Sequence, residues 1–110
     1  KKTVFLTLLL QLPLLVLQAG PSSLSHSRLG LVVSKRVGMA VVRNHVRRLL
    51  REVVRLRWAS IRPGWDIVLI ARVPAAGADF QQLSAAVHTL LERASLLSTE
   101  RPPDQSSTAI

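Results

Sequence analysis

Arg43, Arg47 and Arg51 recur at i, i+4 and i+8, with Arg48 and Arg55 beside them and Asn44 inside the same stripe. Guanidinium groups carry fixed charge and forked donors that match phosphate oxygens, and an amide can donate to phosphate or meet a base edge. On a wheel of ~100° per residue these six side chains occupy a stripe roughly 140° wide. Residues 34–57 hold eight of the 15 lysines and arginines of the chain and a single acid, Glu52. Like charges at that density repel one another, so the pattern points to a polyanionic partner rather than to a merely solvated face. Just upstream, Lys35 and Arg36 precede Gly38. A glycine there permits unusual backbone angles, and the helix start behind it offers unpaired N–H groups and a positive dipole end, an arrangement that suits phosphate. An ordinary turn glycine is the competing reading.

The whole chain agrees with a polyanion binder. It has 110 residues, a formal charge of +9 and 48% apolar residues, enough for one modest core. With no cysteine, disulfide frameworks and thiolate metal sites are excluded. His26, His45 and His88 lie far apart and lack metal-ligand spacing. Of the six acids, Glu100 and Asp104 fall in or near the C-terminal tail, and Glu52, Asp66, Asp79 and Glu92 form no paired motif. No phosphate-cradling glycine loop, nucleophile elbow or His-x-x-x-His motif is present, so the residues supply no catalytic set. Aromatics are limited to Phe5, Trp58, Trp65 and Phe80, which argues against a stacking platform. Charge and shape should dominate binding.

These side chains must be positioned by a small α+β layer structure. Residues 3–13 are mostly apolar and are expected to form a short amphipathic or buried helix ending before Pro13. The alternative is an export signal with Lys1 and Lys2 as its basic start and Ala19-Gly20 as its cleavage site. Gln11 and Pro13 interrupt the run, which falls short of the ~20 apolar residues of a membrane span. Residues 14–18 and 28–34 read as strands, and the short turn-rich link between them favours an antiparallel hairpin. A helix should start near Met39 to Val41 and end at residues 60–64, with Val42, Val46, Leu49, Leu50, Val53 and Leu56 as its core side. Residues 65–71 form the clearest strand, apolar enough for both faces to be covered. Asp79 can cap a last helix over residues 80–97, with Phe80, Leu83, Val87, Leu90, Leu91 and Ala94 inward. The domain is expected to span residues 1–97, with 98–110 a disordered tail. If the strands flanking the basic helix are parallel, they form a β-α-β unit, right-handed by default.

The segment RLGLVVSKRVGMAVVRNHVRRLLRE resembles the signature of the bacterial ribonuclease P protein subunit. The matching positions are Ser34-Lys35-Arg36-Val37-Gly38, then Ala40-Val41-Val42-Arg43-Asn44 and the basic residues that follow. GWDIVLIAR at residues 64–72 resembles the family's next strand, and the resemblance covers residues 14–97. Two positions depart from the pattern: His45 stands where the family usually has arginine, and no basic residue occurs between Lys2 and Arg28.

The resemblance implies a ribosomal-protein-S5-domain-2-like fold, with a mixed sheet of about four strands, packed helices and a left-handed crossover at the basic helix. It implies an accessory subunit of a cytoplasmic endoribonuclease whose catalyst is RNA, removing the 5′ leader from precursor tRNA. The expected partners are the ribonuclease P RNA, bound by the basic helix, and the leader, bound in a cleft on the sheet, with no membrane. No cofactor is expected on the protein, and Mg2+ is expected at the RNA active site. Lys35, Arg36, Arg43, Asn44, Arg47, Arg48, Arg51 and Arg55 are the expected RNA contacts, with no catalytic or metal residues. A generic RNA-binding or ribosome-associated protein is the alternative, and a secreted cationic protein is a third possibility.

Overall fold

The computed structural model describes residues 8–98. Its strands are β1 (Leu8–Gln11), β2 (Leu15–Pro21), β3 (Arg28–Val32) and β4 (Trp65–Ala71), and its helices are α1 (Ala40–Arg57) and α2 (Phe80–Arg93). The strands form one sheet in the order β1-β2-β4-β3. β2 runs antiparallel to both β1 and β4, whereas β3 runs parallel to β4. The expected β-α-β unit, β3-α1-β4, is therefore present, within a four-stranded mixed sheet of α+β architecture.

Two expectations fail at the start of the chain. Residues 8–11 form a strand rather than the end of a helix; residues 3–7 lie outside the described residues. Leu12 N–H donates to the Leu15 carbonyl at 2.8 Å, so Pro13 and Leu14 make the turn of a β1–β2 hairpin. A free edge on β2 overrides the local helix preference of leucine, because strand preference is largely decided by the neighbour available.

The second failure is the β2–β3 hairpin, for β4 inserts between those strands. Three bonds from the 22–27 link carry the chain past the end of β4. Ser22 N–H donates to the Gly64 carbonyl at 2.8 Å, Ser27 Oγ–H donates to the Arg62 carbonyl at 2.7 Å, and Trp65 N–H donates to Ser27 Oγ at 3.0 Å. Crossing one strand requires about 10 Å, two interstrand spacings, which this link can span.

One face of the sheet is covered. The register sets Leu15 beside Ala71, Leu17 beside Leu69 and Ala19 beside Ile67, and all six are at most 5% exposed. They pack with Leu83, Val87, Leu90 and Leu91 of α2 and with Val46, Leu50 and Val53 of α1 in a single core. Each valine, leucine or isoleucine among them contributes about 1.5–3 kcal/mol when fully removed from water. The opposite face carries Val16, Asp66, Val68 and Ile70, only half-buried, so the expected cover on both faces of β4 is not found. Central position shields these residues from the sides, and no second layer of the described residues lies over them.

α2 starts where Asp79 was expected to cap it. Gln82 N–H donates to Asp79 Oδ1 at 2.8 Å and Asp79 N–H to Gln82 Oε1 at 3.0 Å, a reciprocal capping box. It ends at Arg93 rather than near residue 97. Ser95 adopts φ 58°, Leu96 N–H donates to the Leu91 carbonyl and Ser95 N–H to that of Glu92, each at 3.0 Å. This left-handed stop turns Leu96 into the core and lets Leu97 bridge Ile61. Beyond Ser98, whose N–H donates to the Ser60 carbonyl, the tail expected at 98–110 lies outside the described residues.

Candidate nucleic-acid interface

The 18 residues of α1 extend for about 27 Å. Its buried residues are Val46, Leu50, Val53 and Val54, with Val42 and Leu49 packed at their margin. Leu56, expected inward, is 59% exposed. The core-facing arc is thus turned by roughly 45° on the wheel from the one expected, toward Arg43, Val54 and Arg57. α1 packs against α2, whose position could not be known from the periodicity of α1 alone.

That rotation sorts the arginines. Asn44, Arg47, Arg48, Arg51, Glu52 and Arg55 line a shallow groove of about 440 Å3. Within it, Arg47 Nη1–H donates to Asn44 Oδ1 at 2.9 Å, which orients the amide and leaves its NH2 group pointing away as a donor. Arg55 grips Glu52 through Nε–H at 3.0 Å and through Nη2. This hydrogen-bonded guanidinium holds the Glu52 carboxyl below the usual carboxylate range and raises Arg55 above its own ordinary value. Arg47, Arg48 and Arg51 have no carboxylate partner among the described residues, whose two ion pairs are Arg55–Glu52 and Arg28–Asp66. The groove is therefore cationic over three guanidiniums and compensated at its C-terminal end.

Arg43 is not part of the groove lining. It lies half-buried on the core side, and its Nε–H donates to the Gly38 carbonyl at 3.1 Å, tying the helix to the turn before it. Gly38 has φ 158° and ψ −171°, and a Cβ there would meet both Cβ and Cγ1 of Val42 at 3.0 Å. Backbone of that kind is essentially confined to glycine. The close approach of Val42 gives Gly38 a structural reason as the turn before α1. Lys35 and Arg36 sit in the short 3-10 turn Lys35–Val37, both exposed.

Arg57, part of the basic run but outside the stripe, is also a tether. Its Nη2–H group donates to Ser84 Oγ at 2.9 Å and lies 3.4 Å from the Ser84 carbonyl, joining α1 to α2, while its Nε is buried without a partner. Its wheel position, about 320° from Arg43, was the available sign that it faces the core. Glu52 is the groove residue that counting arginines passed over. His45 is exposed next to Asn44. Among the described residues no group of three His, Asp or Glu side chains is placed to hold a metal ion, and no helix is long and apolar enough to cross a membrane. The stretch considered as an export signal supplies β1 and β2, with Leu15 and Leu17 fully buried.

The Ribonuclease P family model matches residues 9–95. The ribonuclease P protein component of Roseiflexus castenholzii is 52% identical over 85 residues, covering 76% of this chain and 70% of that protein. That of Herpetosiphon aurantiacus is 42% identical over 93 residues, covering 84% and 76%. Among solved structures, the Staphylococcus aureus RNase P protein aligns with a TM-score of 0.75 at 29% identity, covering 84% of each chain. The Thermotoga maritima RNase P protein aligns with a TM-score of 0.73 at 32% identity, covering 80% of this chain and 84% of that one.

Proposed function

The chain belongs to the bacterial ribonuclease P protein family, and on that premise we propose that it is the RNA-binding subunit of a leader-removing endoribonuclease. In this reading α1 docks on the ribonuclease P RNA through Arg47, Arg48 and Arg51, with Asn44 as a neutral donor between them. Successive arginines four residues apart climb the helix in steps of about 6 Å, so several phosphates are engaged from one rigid element. Arg43 acts indirectly by holding the Gly38 turn, and Lys35 and Arg36 extend the cationic surface beyond the helix start. The 5′ leader of precursor tRNA lies on the open sheet face, where Gln11 and Gln18 are exposed and no layer of the described residues intervenes.

The catalyst in this reading is the RNA, and magnesium belongs to the RNA active site. The carboxylates of the described residues support that division. Glu52 and Asp66 are engaged by arginines, Asp79 caps α2, and Glu92 stands apart from them on α2. The observation that carries the proposal is the three-guanidinium groove on one side of a helix whose other side is locked into the core.

Reconstitution tests it. Adding the protein to ribonuclease P RNA at low magnesium should stimulate leader removal from precursor tRNA. RNA binding without stimulation would instead identify a general RNA-binding protein.

A further inference from the structure

Trp65 and Phe80 pack against the core, whereas Trp58 stands outside it, 39% exposed. Trp58 follows α1 directly and opens the short 3-10 turn Trp58–Ser60, its backbone carbonyl accepting from Ile61 N–H at 3.1 Å. Its indole N–H has no hydrogen-bond partner and its ring no ring contact among the described residues. Tryptophan combines a large apolar face with one donor, and inside a fold both are normally used. Here both are left to a partner.

Its place along the helix joins Trp58 to the arginine groove. The residue keeps helical backbone, with φ −57° and ψ −39°, so the wheel of α1 carries through to it. It comes seven residues after Arg51 and eleven after Arg47, which sets all three within roughly 20° of one line. The ring stands about 10 Å beyond Arg51 along the helix axis. Between them Arg55 is held by Glu52. The groove thus passes from free guanidiniums, through a compensated one, to an aromatic ring. Continuity with a cationic groove favours a polyanion that carries planar groups over an apolar protein partner.

Guanidiniums and a lone ring act differently on a nucleic acid. Guanidiniums neutralise phosphates of paired and unpaired strands alike. A ring takes a base only when that base has left its own stack, and any base will serve because each has a π-face. The ring therefore selects the state of the strand rather than its sequence.

We propose that Trp58 stacks on an unpaired base of the ribonuclease P RNA at the C-terminal end of the α1 groove. It is then a specificity-determining residue, separating a strand with an unstacked base from a plain duplex. The proposal rests on the reading of α1 as an RNA-docking surface and adds one stacking contact to its charge.

Fluorescence reads this contact directly, because the chain holds two tryptophans. In the full-length Trp65→Phe chain Trp58 is the sole emitter, and ribonuclease P RNA should quench it and shield it from acrylamide. If that variant does not fold, the difference in quench between the parent chain and Trp58→Phe reports the same ring. A short single-stranded oligoadenylate should quench as well, and an RNA duplex of equal charge should not. Trp58→Ala should lower affinity for ribonuclease P RNA roughly tenfold. The log–log salt slope should stay unchanged, since no charge is removed. Trp58→Phe should restore most of the affinity and Trp58→Leu should not, with thermal melts verifying that each variant folds.

Emission unmoved by RNA, or quenched equally by the duplex, overturns the proposal. Emission already shielded from acrylamide in the free chain and unmoved by RNA gives the ring to another segment of the chain, and overturns it too. In the reconstituted holoenzyme, an affinity loss confined to precursor tRNA moves the ring to the substrate and overturns the assignment to ribonuclease P RNA. The variant Arg47→Gln, Arg48→Gln, Arg51→Gln separates this proposal from the reading beneath it. If that variant loses RNA binding while Trp58→Ala keeps it, only the stacking assignment fails; if neither loses binding, the docking reading of α1 fails as well.

Discussion

The two sides of α1 are built from the same short stretch of chain and obey opposite rules. On one side Val46, Leu50 and Val53 are at most 1% exposed and close-packed, so a change of volume at any of them is felt. On the other, Arg47, Arg48 and Arg51 face solvent in a shallow groove, where charge is spread over several interchangeable donors. The core side is specific in shape, and the groove side is additive in charge. Arg43 and Arg57 show how sharp the division is. They share the arginine side chain but sit on the core side near the two ends of the helix, and there they serve as tethers to Gly38 and Ser84.

The largest effect should come from Leu50→Ala. Removing a fully buried leucine costs about 2–5 kcal/mol, read as a lowered denaturation midpoint, while the folded fraction should bind RNA with unchanged salt slope. A changed slope would mean that the two sides are not independent.

Next is the triple variant Arg47→Gln, Arg48→Gln, Arg51→Gln. Its stability should stay within about 0.5 kcal/mol of the parent, as for surface substitutions generally. RNA affinity should fall by roughly two decades, and the log–log salt slope by about 0.7–0.9 for each phosphate that is no longer neutralised. An unaltered slope would remove these residues from the interface.

Gly38→Ala probes the joint between the sides. Backbone strain and the close approach of Val42 should lower stability by roughly 1–3 kcal/mol, measurable by urea unfolding. RNA binding should weaken only as far as Lys35 and Arg36 are displaced.

A smaller gain is expected from Glu52→Gln, which frees Arg55. The salt slope should steepen by no more than about 0.7–0.9, with a few-fold tighter binding in a filter or fluorescence titration.

The smallest effect is on acid stability. Glu52 and Asp66 are both held below the ordinary carboxylate range, chiefly by hydrogen bonds from Arg55 and Arg28. Because their folded values lie below the unfolded ones, the stability they contribute is present above the ordinary range. It is lost as pH falls through the folded values, below about pH 4. Both pairs are exposed, so the loss should be slight, and Asp66→Asn should remove part of that acid limb in pH-dependent melts.

The legibility of this chain follows the range of the interactions involved. α1, β4 and the Asp79 cap could be read because each is written in neighbouring residues: a period of 3.6, an apolar run, or a side chain three residues from its partner. The groove residues Asn44, Arg47, Arg48, Arg51 and Arg55 were legible for the same reason. The exact orientation of the helix was not. Leu56 rather than Val54 looked inward until α2 determined which arc is covered, and with it which arginines become tethers.

By itself, the sequence determined that a basic helix would carry a stripe of arginines beside an apolar side, because side-chain direction in a helix is fixed by local geometry. It also determined the family, through the order of Gly38, Arg43 and Asn44 between two strands. Only the tertiary structure decided that β4 lies between β2 and β3 and that residues 8–11 extend the sheet. Those outcomes depend on strand edges and turns separated by dozens of residues, and a strand's partner is chosen by the edge that remains free, which no local pattern encodes.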